Sequence, residues 1–175
     1  MIERLSHLLA IRIKNANPDQ TASIDIMKFS IIGIINNSIT FVLILLIGSV
    51  GGHLYQTCIA LLAFMVLRIF AGGFHFNSPI TCIVVSTVTI SVIPYLSSLL
   101  NTPLIILFNL ISVIITLVYA PSNIKKTRIS QSRCKIYKAI AVLLVSSNFL
   151  FLSPSISLSF LIQNISIIER KEGMK

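Results

Sequence analysis

Residues Phe29 to Leu67 read FSIIGIINNSITFVLILLIGSVGGHLYQTCIALLAFMVL and contain no charged side chain. A helix needs about 20 predominantly apolar residues to cross the hydrocarbon core of a bilayer, so this stretch is long enough for two crossings. The Gly51-Gly52 pair within it permits a sharp turn of the backbone. The stretch therefore predicts two membrane-spanning helices joined by a tight turn.

Two further uncharged stretches, 69–124 and 139–168, extend this pattern along the chain of 175 residues. With 55% hydrophobic and 11% charged residues, the chain is too apolar for an ordinary soluble domain. We predict an all-α polytopic membrane protein, a single integral-membrane domain over residues 1–175 with its transmembrane bundle over 27–168. About six crossings are expected, at 27–50, 54–72, 79–100, 102–120, 136–153 and 155–168. The last one is short and rich in Ser and Asn, and its alternative is a half-crossing sheltered by the bundle.

Residues 1–22 precede the first crossing and combine charges with regularly spaced apolar residues. The apolar residues that recur at helical spacing are Ile2, Leu5, Leu8, Leu9 and Ile13. This spacing predicts an amphipathic helix that lies on the membrane surface or, alternatively, packs on the other helices. Because charges occur along the whole segment, it does not resemble a cleaved signal peptide.

Lys and Arg residues are concentrated in the N-terminal segment, in the loop 121–135 and at the C-terminus. The turns near 51–53, 101–103 and 153–155 contain none. The positive-inside rule therefore predicts that both termini, the basic loop 121–135 and the turn around residues 72–79 face the cytoplasm. The formal net charge of +9 then faces one membrane surface, where it sets topology and attracts anionic lipid or binds an acidic partner. The lipid bilayer is an expected partner, and nucleic acid is not.

No Asp or Glu occurs between Asp25 and Glu169. This absence excludes an aspartyl intramembrane protease, a HExxH metalloprotease and a transporter driven by an intramembrane carboxylate. His75 and Cys82 are only two metal ligands, whereas zinc sites usually have three or four from the protein. We therefore expect neither a metal nor a cofactor, and cysteine chemistry remains.

His75 and Cys82 are seven residues apart. On one continuous helix they would lie about 10 Å apart along the axis, too far for a hydrogen bond. Gly72-Gly73 permits a break, however, and Ser78-Pro79 suits the N-cap and first position of a new helix. Cys82 would then lie near a helix start, whose dipole favours a thiolate and whose free N–H groups suit an oxyanion, with His75 in the loop above it.

Each of these residues also has a purely structural interpretation. A lone His near a membrane interface is often structural, and a Cys in a membrane helix is often an inert small apolar residue. Arg68 either extends its charge to the headgroups or faces the site and binds a carboxylate or oxyanion. Ser86, four residues after Cys82, hydrogen-bonds either near the site or back to its own helix. Cys134 is a rival thiolate because its neighbours are basic.

The stretch around Cys82 resembles the accessory gene regulator B family of bacterial membrane cysteine endopeptidases, which process quorum-sensing propeptides. The matching residues are Arg68, Ala71-Gly72-Gly73, His75, Cys82 and Ser86. A second, weaker match is VYAPSNIKK, from Val118 to Lys126, which is similar to the family's Ala-Pro then Lys-Lys loop. The family often has Pro after the lysine pair, where this chain has Thr127.

The resemblance implies an enzyme that cleaves the C-terminal tail from a short amphipathic propeptide. Cys82 would form an acyl-thioester with His75 as general base, and an internal Cys or Ser of the peptide would close a thiolactone or lactone ring. The removed tail tends to be acidic in this family, so the basic loop is a plausible docking surface. The residues then expected to contact the substrate are Arg68, Gly72, Gly73, Ser86, Lys125 and Lys126. A homodimer is compatible with this pattern.

Two other classes of protein fit the sequence without covalent chemistry. In a small transporter or peptide-export component, His75 and Arg68 would line a pathway and Cys82 would be incidental. In a membrane scaffold, none of the three would have a chemical role. A neighbouring reading frame for a short amphipathic peptide with an acidic tail would favour the enzyme.

Overall fold

The computed structural model describes residues 2–73, 78–122 and 131–172. Within these ranges the chain forms seven helices and no strand: α1 (Ile2–Ala16), α2 (Ile24–Val50), α3 (Leu54–Ala71), α4 (Pro79–Ser97), α5 (Thr102–Tyr119), α6 (Gln131–Phe151) and α7 (Pro154–Glu172). The helices α2 to α6 are long and apolar enough to cross a bilayer. The predicted fold class, an all-α multi-pass membrane protein, is confirmed.

The turn residues seen in the sequence end and begin these helices. The helix α2 ends against Gly51, and Gly52 adopts a positive φ of 71°. Ser78 is the N-cap of α4 and Pro79 its first residue, as predicted. Asn101 caps α5 because its Oδ1 accepts a hydrogen bond from the Leu104 amide at 3.2 Å. Each of these helix starts and ends lies within a few residues of its predicted position.

The most apolar helix, α2, lies at the outside of the bundle. Among all the residues of α2, only Ile44 and Gly48 are buried. Large apolar side chains such as Phe29, Val50 and Leu150 are 79%, 90% and 84% exposed. In lipid this exposure carries no cost, since hydrocarbon tails are as apolar as these side chains.

The helix α7 lies in the interior, where it packs on α3 and α5 and also contacts α4. Its apolar part, Pro154–Ile168, is shorter than the other spans. Many of its buried side chains are polar: Ser155, Ser157, Ser159, Gln163 and Asn164. The Ser- and Asn-rich segment is therefore the helix that the bundle shelters, as its alternative interpretation expected.

The bundle has two chemically different ends. At one end, which we call the neutral end, the turns at 51–53, 98–101 and 152–153 carry no charge. The His53 and Tyr95 rings are in edge contact there at 4.9 Å, and Ser155 Oγ lies 3.2 Å from Ser97 Oγ. The other, the basic end, contains the end of α3 and the starts of α4 and α6. The Ser122 amide donates to the Ala71 carbonyl at 3.0 Å at this basic end.

The N-terminal helix α1 packs on α2 and is shorter than the predicted segment 1–22. It buries only the small residues Ser6 and Ala10, and leaves Leu5, Leu8 and Ile13 exposed. The packing alternative is therefore observed, since the helix contacts α2 and buries small residues. A position of its exposed apolar face on the membrane surface stays a prediction.

Candidate functional site

A cleft of about 220 Å³ opens between α2, α3 and α4. The predicted site residues Arg68, Cys82 and Ser86 all line it, although they come from two helices. Its other polar lining residues come from α2 and are Asn36, Asn37 and Thr40. The remaining walls are apolar: Phe41, Leu61, Phe64, Met65, Ile69 and Ile90. An apolar concavity with a few convergent polar groups is the usual form of a ligand site.

Cys82 is placed in this cleft by the start of α4. Its own amide is already used, because it donates to the Ser78 carbonyl at 3.1 Å. Pro79 has no N–H, so Ile80 and Thr81 carry the amides of the first turn that have no intrahelical acceptor. The half-buried Cys82 thiol is free of any disulfide. The Cys82 thiol therefore lies near a helix start and also lines the cleft.

Ser86 lies one turn further along α4 and lines the same cleft. The spacing of four residues puts the Ser86 and Cys82 side chains on one face of the helix. The half-buried hydroxyl therefore lies one helical turn further from the start of α4 than the thiol does. The structure brings these two predicted residues together.

Arg68 reaches inward from the last turn of α3. Its Nη1 donates a long hydrogen bond of 3.5 Å to Oε1 of Gln163 on α7. Its Cζ lies 5.7 Å from the centre of the Phe64 ring, a cation–π distance. These contacts favour the interpretation of Arg68 as part of the cleft over that of an arginine extended to the headgroups.

The glycine pair after α3 packs on α7 and does not line the cleft. Gly72 has φ 80° and ψ −154°, a backbone conformation that side chains rarely permit. The Nε2 of Gln163 donates to the Gly72 carbonyl. A Cβ on Gly73 would lie 2.8 Å from that Nε2 and 3.1 Å from Ser166 Oγ. The pair is therefore required for the break and for close packing, and direct contact with a substrate stays a prediction.

His75, Lys125 and Lys126 lie outside the described residues. The His75–Cys82 dyad and the two lysine contacts therefore stay predictions. The residues that flank these segments are described, however, and they lie close together. Besides the Ser122–Ala71 hydrogen bond, the rings of Phe70 and Tyr137 meet edge to face at 5.9 Å. Both flanks of the basic loop thus lie beside the end of α3, where the segment to His75 starts.

The other two thiols lie elsewhere. Cys58 is a half-buried residue near the start of α3, and Cys134 is buried near the start of α6. Both are free of disulfides, in agreement with the odd number and irregular spacing of the cysteines. Neither is among the residues that line the cleft.

Sequence reasoning missed the polar residues that α2 and α7 contribute. Asn36 and Asn37 form an adjacent pair inside a long uncharged stretch, and such polar residues in a membrane helix are costly. Because of this cost, the Asn36-Asn37 pair was the sequence feature that could have indicated a polar site on α2. Gln163 gave a weaker signal because it lies in a segment with several polar residues.

Comparison with known proteins identifies the family of the chain. A family model described as accessory gene regulator B matches residues 6–168. A "Putative AgrB-like protein" of Halalkalibacterium halodurans is 30% identical over 95 residues, which are 54% of this chain and 48% of that protein. The chain thus spans about half the length of this curated relative, and no solved structure matches it. Because the family model covers nearly the whole bundle, the chain belongs to the accessory gene regulator B family of the quorum-sensing system.

Proposed function

We propose that this protein is a membrane-embedded cysteine endopeptidase that matures a quorum-sensing peptide. Its substrate is a short amphipathic propeptide, from which it removes the C-terminal tail. The observation that carries the proposal is the position of Cys82. This thiol lies by a helix start and lines a cleft together with Arg68 and Ser86, in a chain of the accessory gene regulator B family.

The proposed reaction has two acyl transfers. The Cys82 thiolate attacks the scissile carbonyl after His75 has taken the thiol proton, and His75 returns that proton to the leaving amine of the tail. The peptide is then held as a thioester on Cys82. An internal Cys or Ser of the peptide attacks the same carbonyl, loses its proton and displaces Cys82. The products are a thiolactone or lactone ring and the regenerated thiol.

Two kinds of donor near Cys82 are proposed to stabilise charge in the transition state. The amides of Ile80 and Thr81 stand at the start of α4, and the Arg68 guanidinium enters from α3. Donors already oriented by the fold stabilise an oxyanion without reorganisation, which is the strongest single effect in acyl transfer. Gln163 supports this arrangement because it contacts both Arg68 and the Gly72 carbonyl.

The basic loop is the proposed docking surface for the acidic tail. The loop and the C-terminal part of α3 share the basic end of the bundle, since Ser122 hydrogen-bonds to Ala71. A tail bound there would leave the preceding peptide beside the cleft. Binding by exposed charges acts over about 8–10 Å at physiological salt, so it weakens as salt rises.

The proposed orientation puts the basic end and both termini in the cytoplasm. In a variant without native cysteines, we introduce single cysteines at Val50, Thr102 or Asp19 and label intact cells with an impermeant thiol reagent. Positions 50 and 102 are at the neutral end and should react, whereas position 19 should be protected. Labelling at 19 with protection at 50 and 102 would invert the orientation.

The decisive test of the chemistry is direct detection of the thioester. The protein is reconstituted in nanodiscs and incubated with a candidate propeptide, a short amphipathic peptide with an acidic C-terminal tail. Mass spectrometry should find the truncated peptide attached to Cys82, and free tail in an amount equal to the adduct and the cyclic product together. Cys58→Ala and Cys134→Ala should form the adduct at the wild-type level. If intact propeptide persists with wild-type protein, or if Cys82→Ala releases the tail equally well, the peptidase proposal is wrong.

A further inference from the structure

The wall of the cleft opposite α4 contains a buried hydrogen-bond acceptor with no partner. Asn36 lies in the middle of α2, and its Oδ1 is buried although the side chain as a whole is partly exposed. No hydrogen bond to this oxygen occurs within the part of the chain that the structure describes. The residue lines the same cleft as Cys82.

The other buried asparagines show what this oxygen lacks. Asn109 Oδ1 accepts from Asn148 Nδ2 at 3.1 Å, and Asn148 Oδ1 accepts from the Ser153 amide at 3.1 Å. Asn164 Oδ1 accepts from the Thr116 hydroxyl at 2.8 Å. Each of these three oxygens therefore has a donor supplied by the fold, whereas the Asn36 oxygen is buried at the wall of the cleft and has no donor among the described residues. Leaving a buried acceptor unpaired is costly, and at the wall of a cleft such an acceptor can be paired by a donor of a bound molecule.

The chemistry of the missing donor follows from the proposed substrate. A peptide in extended conformation presents backbone N–H groups at regular intervals, and an amide oxygen is a matching acceptor for one of them. The helices α2 and α4 pack against each other, so a peptide whose carbonyl lies at Cys82 has α2 as its opposite wall. Cleft residues on α2 can therefore hydrogen-bond to the backbone of the peptide, independently of its side chains.

We propose that Asn36 Oδ1 accepts a hydrogen bond from a backbone N–H of the substrate next to the carbonyl that Cys82 attacks. Asn36 is thus a positioning residue that fixes the register of the peptide in the cleft. This inference rests on the proposed peptidase function. It adds a recognition element that depends on the peptide backbone and is independent of the acidic tail.

The test uses a probe that does not require the natural propeptide. An N-acetylated tripeptide benzyl thioester transfers its acyl group to Cys82 and releases benzyl thiol, which can be followed continuously. Three analogues each replace one backbone N–H by an ester oxygen. Wild-type protein in nanodiscs should lose about five- to tenfold in acylation rate with one analogue and little with the other two.

The variant Asn36→Leu is nearly isosteric and removes the acceptor. It should acylate with the parent thioester about five- to tenfold more slowly and show no further loss with the sensitive analogue, because the two changes remove the same hydrogen bond. Asn36→Asp keeps an acceptor oxygen and should keep the preference among analogues. Ser38→Leu changes an exposed α2 residue outside the cleft and should behave as wild type.

Alkylation by iodoacetamide distinguishes the possible failures, since this small reagent needs no peptide backbone. Asn36→Leu should be alkylated at Cys82 at the wild-type rate. A slower alkylation with a shifted pH profile would mean that Asn36 acts on the thiol, and would overturn the inference. Equal losses with the analogue in wild type and Asn36→Leu would overturn it too, and would leave the peptidase proposal intact. Wild-type protein that is alkylated but never acylated would instead contradict the peptidase proposal itself.

Discussion

Two polar regions lie inside this apolar bundle, and they differ in how their hydrogen bonds are completed. Around α7, Thr116 pairs with Asn164, and Gln163 joins Gly72 to Arg68. In the cleft between α2, α3 and α4, no described residue pairs with the Asn36 oxygen, and Cys82 lines the same cleft. The hydrogen-bonded pairs of the first region lie within the protein, although Ser112 Oγ beside them has no partner among the described residues, whereas the second region borders a cleft.

The difference separates stability from chemistry. In hydrocarbon, a polar group without a partner is costly, so the groups around α7 hold helices together when they pair with one another. The Asn36 oxygen contributes less to stability because it has no partner within the described part of the chain. We therefore expect substitutions around α7 to lower the free energy of unfolding and substitutions in the cleft to lower the rate of reaction.

The largest effect is expected for Cys82→Ala. Propeptide processing should fall at least a thousandfold, because loss of a nucleophile removes the covalent pathway. The free energy of unfolding in mixed micelles should change by less than about 1 kcal/mol, because the side chain is only half buried. Rates come from a cleavage assay and stability from denaturant titration. A large loss of stability would contradict the expectation that cleft residues affect the reaction rate and the α7 region affects stability.

Next in size is Gln163→Leu, which removes a fully buried amide between two partners. The Gly72 carbonyl loses its donor, so unfolding should become easier by about 2–3 kcal/mol. Acylation of Cys82 should also slow, because the same amide contacts Arg68. Ile165→Ala, an exposed position of the same helix, is the matched control. Unchanged stability of Gln163→Leu would show that the α7 region is not held by this pairing.

Neutralising the basic loop should have a moderate effect on binding alone. The triple change of Lys125, Lys126 and Arg128 to Gln should raise the apparent KM about tenfold at low salt and alter kcat less, because remote contacts bind substrate and transition state alike. The difference from wild type should shrink as ionic strength rises. Cleavage is measured in nanodiscs of uncharged lipid on correctly oriented protein. An unchanged KM at low salt would leave the loop as an orientation signal.

The smallest effect is expected for Thr116→Val, which removes one side-chain hydrogen bond to Asn164 and keeps the volume. Unfolding should become easier by about 1 kcal/mol, within the range measured for such pairs in membranes. Processing of propeptide should remain within about twofold of wild type. The comparison of Thr116→Val with Cys82→Ala is the sharpest form of the contrast. The contrast would be contradicted if Thr116→Val lost more transition-state stabilisation than unfolding free energy, with both expressed in kcal/mol.

Much of the fold could be predicted because bilayer physics limits the choices. Uncharged stretches give the helices, and Gly51-Gly52 and Ser78-Pro79 give their ends. Part of the site followed from the same logic, since a helix starting at Pro79 puts Cys82 and Ser86 on one face.

The partners across the bundle could not be predicted, because they depend on which helix faces which. Nothing local in the sequence says that Gln163 reaches Gly72, about ninety residues earlier, or that Asn36 stands across from Cys82. Helix packing decides such contacts, and periodicity within each helix leaves the neighbours open. The polar residues of α7 indicate that other helices bury this segment, but they do not indicate which helices.

The buried, polar character of α7 has a consequence for how the chain is made. Its apolar part of 15 residues spans about 22 Å, less than the hydrocarbon core, and it carries an amide at Gln163 and another at Asn164. Such a segment gains little from entering lipid alone. It also leaves the ribosome after α3 and α5, so those two helices are already in the membrane when it emerges. We therefore expect α7 to insert by packing on α3 and α5, which are already in the membrane, rather than by entering the lipid alone.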